Sequence, residues 1–191
     1  MKKYLTLLSI ILSLSSHAQN DVISYNQIHV KSLDLKHNEP NDDRDGYTLK
    51  GSYAITDNFY LIAGFDKVKY DHTDQKNDIS TVGVGGHIAK SRKTDYVYSI
   101  TYSKNKIKNR SVGSIKIDSS TIAAGVRSML SKNIELNGGI EFIKFENESA
   151  EISPFVGVDI HPNFANGYAL SVTYASTDDY KTLSAGLKYS F

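Results

Sequence analysis

Period-two alternation runs through most of this chain, and it restricts the fold more than any other feature. Tyr47, Leu49, Gly51, Tyr53 and Ile55 alternate with Thr48, Lys50, Ser52 and Ala54. Phe59 to Phe65, Val82 to Ile88, Tyr96 to Tyr102 and Ile122 to Val126 repeat the pattern. So do Ile134 to Phe142, Ile152 to Ile160, Tyr168 to Tyr174 and Leu183 to Phe191. Such alternation gives a strand one apolar and one polar face. A less regular strand over 23–35 places Ile28 and Val30 on the apolar face and Gln27, His29 and Lys31 on the polar one. The count is ten strands, and no helical period competes with them.

The connections fall into two kinds. Thr56-Asp57-Asn58, Ser131-Lys132-Asn133 and His161-Pro162-Asn163 are three-residue turns that end in Asn, flanked by apolar residues. Asn tolerates the left-handed conformation that such a hairpin needs at its last position. The other connections cover 36–45, 71–78, 104–118, 146–150 and 176–181, and the first three are long and charged. Short turns at one end and longer loops at the other describe a barrel with short periplasmic turns and longer extracellular loops.

Composition helps decide which face meets what. The chain holds 13 Tyr and 7 Phe with no Trp. Many apolar-face positions are Tyr, which suits an interface where the ring is dry and the hydroxyl wet. Tyr47 and Tyr53, Phe59 and Phe65, Tyr96 and Tyr102, and Tyr168 and Tyr174 are each six residues apart. That spacing is about 20 Å of strand, or about 15 Å of height once tilted, within the ~25 Å apolar band of a membrane barrel. The expected fold is all-β: a closed, antiparallel, up-and-down transmembrane β-barrel of ten strands, with eight as the alternative. Its apolar face is turned to lipid and its location is the bacterial outer membrane.

The N-terminus carries a charged start, Lys2 and Lys3, then an apolar run from Tyr4 to Leu14 and a small-residue site at Ser16-His17-Ala18. These are the parts of an export signal, and the run is too short to span a bilayer as a helix. Residues 1–18 are therefore expected to be a signal peptide and 19–191 the barrel domain.

Leu187, Tyr189 and Phe191 alternate to the last residue and resemble the assembly signal of outer-membrane barrels. With them the chain resembles the small outer-membrane β-barrel family that includes OmpA-type and OmpX-type barrels. The stretch from Gly46 to Phe65 is also similar to a hairpin of small proteobacterial barrels. The resemblance implies insertion by the barrel-assembly machinery, contact with outer-membrane lipids and lipopolysaccharide, and eight strands as the commoner number.

Strand parity assigns the interior. Lys31, Lys50, Arg127 and Lys188 should face it, with Asp66, Glu135, Glu141 and Asp159. Four cations against four anions in a narrow bore favour a plug of paired charges over an open solute path. Arg127 and Glu135 lie on consecutive strands and are expected to pair.

Other chemistry is thin. A net charge of +1 gives no field for nucleic acid, and the absence of Cys excludes disulfides and thiolate metal sites. His37 and His72 lie near the outer rim but in no Ser/His or Asp/His motif, so no enzyme, catalytic residue or cofactor is expected. Asn41 to Gly46 mimics the start of a calcium loop, but the twelfth position is Ser52 instead of Glu, and a solvated loop is the preferred reading. The third long loop is basic, with Lys104, Lys106, Lys108, Arg110 and Lys116. Ordinary solvated charge on a loop is the preferred reading, and a surface for lipopolysaccharide phosphates or anionic host glycans is the alternative. The expectation is a non-catalytic surface or structural protein, with a narrow solute channel as the alternative.

Overall fold

The computed structural model describes residues 23–37, 43–71, 75–109, 113–146, 148–162 and 167–191. The expected signal peptide lies outside them. Ten strands follow in chain order: β1 Gln27–His37, β2 Arg44–Ala54, β3 Phe59–Tyr70, β4 Lys76–Ser91, β5 Thr94–Asn109, β6 Gly113–Ser131, β7 Ile134–Phe145, β8 Ala150–Ile160, β9 Tyr168–Ser176 and β10 Tyr180–Ser190. Each pairs antiparallel with the next, and β1 pairs with β10. The sheet closes on itself, which removes every free strand edge. The count is ten, and the eight-strand alternative does not hold.

The faces follow the parity read from the sequence. Leu61, Val84, Ile100, Ile122, Val156, Leu170 and Leu187 are exposed on the outer wall. In water so continuous an apolar surface would drive aggregation; in lipid it is the face that holds the barrel in place. The outer aromatics form two belts. Tyr53, Phe59, Tyr96 and Tyr168 stand at the turn end, and Tyr47, Phe65, Tyr102, Phe142 and Tyr174 stand at the other. Between the belts no charged residue occupies an outward position among the described residues. The protein is an integral outer-membrane barrel.

Closure depends on small residues at the seam. Lys31 of β1 lies opposite Gly186 of β10. A Cβ added at Gly186 would stand 2.0 Å from the Val30 carbonyl oxygen and 2.5 Å from the Lys31 Cα. Only glycine lets the two backbones come this close.

Two expectations are corrected. The segment 104–118 is not a long loop: β5 runs on to Asn109 and β6 begins at Gly113, in register from Lys104↔Asp118 to Asn109↔Gly113. Lys104, Lys106, Lys108 and Lys116 are therefore strand residues, and Arg110 lies outside the described residues. The inward positions explain the pairing. Asn105, Ile107, Ile117 and Ser119 are shielded inside while the lysines face out, so alternation persists above the membrane with polar residues on the outer wall. The second correction is at the start. The first strand begins at Gln27, and residues 23–26 turn into the barrel.

Candidate functional site

The lumen holds the chemistry, and it is built in two tiers. At the turn end, residues 23–26 close the bore. Ile23 and Tyr25 share the inward parity of Gln27 and His29, and each is only 7 % exposed. The Tyr25 ring stacks on Tyr60, with centroids 4.9 Å apart, and on His87 at 4.0 Å. Arg127 lies over the same ring, its Cζ 4.9 Å from the centroid. Aromatic pairs of this kind contribute about 0.5–1.5 kcal/mol each beyond area burial.

Hydrogen bonds pin the segment on all sides. The Tyr25 hydroxyl donates to Asp95 Oδ2 at 2.7 Å. Burial holds that hydroxyl well above its ordinary pKa, so it remains a donor. Ser52 Oγ donates to the Tyr25 carbonyl, and the Ala54 N–H to Asn26 Oδ1, both at 2.7 Å. Arg127 Nη1 donates to the Ser24 carbonyl at 3.2 Å. The Phe191 N–H donates to the Asn26 carbonyl at 3.0 Å, tying the chain end to the same segment. Room for the Tyr60 ring comes from Gly85 opposite it, where a Cβ would stand 2.3 Å from the ring.

Four of the eight expected lumen charges meet beside this segment. Arg127 Nε donates to Glu135 Oε1 at 2.7 Å. Lys188 Nζ donates to Glu135 Oε2 and to Asp159 Oδ2, each at 2.8 Å. Alternating charge along a chain of four lets each ion satisfy its neighbours, the condition for holding charge out of bulk water. Glu135, Asp159 and Lys188 are each 2 % exposed. The other four stay apart. Lys31 Nζ donates to Thr173 Oγ1 at 2.9 Å, and Lys50, on an inward position of β2, is exposed. Asp66 and Glu141 are half-buried on β3 and β7. No ion pair joins these four among the described residues.

The remaining candidates take simpler places. His37 packs edge-on against Tyr180 at the outer rim, centroids 4.5 Å apart. His72, Asn41 and Asp42 lie outside the described residues. Asp43, in the stretch that mimics a calcium loop, accepts from Lys36 Nζ at 2.9 Å. Leu187 and Tyr189 occupy outward positions on β10, and the Tyr189 ring lies between Tyr168 at 4.6 Å and Phe191 at 6.0 Å.

Sequence reasoning missed Tyr25, Tyr60 and Asp95. A signal for the first was present: Ile23 and Tyr25 are apolar residues on the lumen parity of the first strand, directly ahead of the polar inward residues Gln27, His29 and Lys31.

No family model and no curated protein matches the sequence. Among solved structures, the chain is similar to the β domain of the Bordetella autotransporter Brka, at 11% identity and TM-score 0.51, covering 87% of this chain and 100% of that one. It is also similar to the translocator domain of the autotransporter NalP from Neisseria meningitidis, at 12% identity and TM-score 0.50, covering 100% and 95%. Neisserial surface protein A aligns at 14% identity and TM-score 0.48, covering 88% and 98%. These likenesses concern the barrel fold.

Proposed function

We propose that this protein is a non-catalytic envelope barrel that acts through its outer surface and not by passing solutes through its lumen. The observation that carries the reading is the inward-folded segment 23–26. Barrels of about eight strands are just filled by strand side chains. Ten strands leave more room, and here Ile23 and Tyr25 fill it at the turn end together with Tyr60 and Met129. The Arg127–Glu135–Lys188–Asp159 chain closes the space beside them. Towards the other end the inward positions are polar, with Lys31, Lys50 and Asp66 among them. Catalysis has little support: the rim residue His37 packs edge-on against the Tyr180 ring.

The test is permeation. Liposomes carrying the refolded barrel should swell in small-sugar solutions no faster than empty liposomes, and cells lacking the protein should lose resistance to detergents and bile-like amphiphiles while keeping solute uptake. Rapid swelling would instead support the narrow-channel reading.

A further inference from the structure

We propose that the outer wall formed by β3 to β6, above the aromatic belt, is a docking surface for the phosphate groups of lipopolysaccharide. The inference deepens the reading above, because it names the partner of that outer surface, and it rests on the barrel sitting in the outer membrane.

The geometry is set by parity. Tyr96, Tyr98, Ile100 and Tyr102 face lipid, and Lys104, Lys106 and Lys108 continue the same outward row. The register places them in tiers with their neighbours. Lys104 lies beside Ser80 and Asp118; Lys106 lies beside Asp78 and Lys116; Lys108 lies beside Lys76. On the other side Lys67 lies opposite Asp78, and Lys69 lies between Lys76 and the exposed Asp45. All seven lysines are exposed, while Asp78 and Asp118 are half-buried beneath them. Both carboxylates already have partners: Asp78 pairs with Lys108, and Asp118 accepts from the Tyr102 hydroxyl. Lys67, Lys69, Lys76, Lys104, Lys106 and Lys116 have no ion pair among the described residues. Glu146 lies with Lys104, Lys106, Lys116 and Asp118 on this face, so seven lysines outnumber Asp45, Asp78, Asp118 and Glu146 and the surface keeps a net positive charge.

Direction and height select the partner. These side chains point sideways from the wall and not upwards from a loop tip. A soluble glycan approaching from outside would meet the rim first. The groups that lie beside the wall are the headgroups of the surrounding outer leaflet. Lys104, two residues past Tyr102, stands about 5 Å above the belt, and Lys108, six residues past it, about 15 Å, taking 3.3 Å per residue and a 40° tilt. That interval is where anionic headgroup phosphates begin and a phosphorylated core continues. Lysine is a flexible point charge, suited to phosphates whose positions vary from one lipid to the next.

The experiment uses the refolded full barrel in neutral detergent and fluorescently labelled lipopolysaccharide, followed by anisotropy. Lys67→Gln, Lys106→Gln and Lys116→Gln are combined in one variant, and Lys93→Gln with Lys132→Gln at the periplasmic turns is the control. Heat-dependent gel migration confirms that each is folded. A lysine beside an anionic lipid surface contributes about five-fold in affinity, so the triple variant should bind roughly a hundred-fold more weakly and the control unchanged. The native barrel should show a comparable loss on dephosphorylated lipopolysaccharide, an arm that needs no variant. A loss smaller than roughly ten-fold in either arm overturns the proposal. So does a loss confined to heparin, which would mark the wall as a site for soluble anionic glycans. Because permeation does not depend on these lysines, failure here leaves the sealed-lumen reading standing.

Discussion

Glu135 is the residue whose loss should reveal most about the lumen. Its carboxylate is 2 % exposed and holds Arg127 at 2.7 Å and Lys188 at 2.8 Å. Truncation to Ala leaves the two cations unequally placed. Lys188 keeps Asp159 at 2.8 Å, whereas Arg127 retains only the Ser24 carbonyl and the face of Tyr25. Removing one partner of a buried ion pair costs about 3–5 kcal/mol. The low end applies here, about 3 kcal/mol, because Arg127 keeps those two weaker contacts. Replacing Arg127 and Glu135 together by Met removes the stranded charge, and such swaps are neutral or stabilising by about 1–4 kcal/mol. Urea unfolding of the barrel in lipid vesicles, followed by far-ultraviolet circular dichroism, gives both values. If Glu135→Ala costs less than about 1 kcal/mol, water already reaches Arg127, and the argument for a dry, closed turn end fails.

Three further outcomes follow from the same structure. Arg127→Ala removes a cation shared by the ion chain and the Tyr25 stack, so it should lower the unfolding midpoint clearly while leaving liposome permeation nearly unchanged; an unaltered midpoint would contradict this. Ile100 is 52 % exposed, so Ile100→Arg would be within about 0.5 kcal/mol of neutral on a soluble protein. Near the bilayer midplane it should cost about 2–4 kcal/mol, and vesicle unfolding separates the two. Gly186→Val forces a side chain into the β1–β10 seam, where a Cβ already stands 2.0 Å from the Val30 carbonyl. The folded, fast-migrating band on an unheated gel should disappear, and a normal band would mean that the seam tolerates a wider spacing.

Much of this architecture was legible because a lipid-facing strand must alternate. Leu61, Val84 and Leu170 declared the outer wall, and Arg127, Glu135, Asp159 and Lys188 declared the inner one. Parity gives the face, but it gives neither height nor position around the barrel. It could not say that Arg127, Glu135, Asp159 and Lys188 would meet while Lys31, Lys50, Asp66 and Glu141 would stay apart. The β5–β6 extension was hidden for a related reason. Apolar alternation marks where lipid is, and above the membrane the outward positions become Lys104, Lys106 and Lys116. There the surviving signal is the weaker inward row of Ile107, Ile115 and Ile117. The closing segment was hidden because Ile23 and Tyr25 continue the inward parity of the first strand, so a strand and a turned-in plug read alike.

The most direct measurement of the central claim is single-channel conductance in a planar bilayer, on the native barrel and on Tyr25→Ala. The variant removes the ring stacked on Tyr60 and His87 and the hydroxyl that donates to Asp95. The account predicts a silent native barrel and frequent openings in the variant, with both folded on a gel. Steady, reproducible steps from the native protein would contradict it, because they would mean that residues 23–26 leave a continuous path through the lumen.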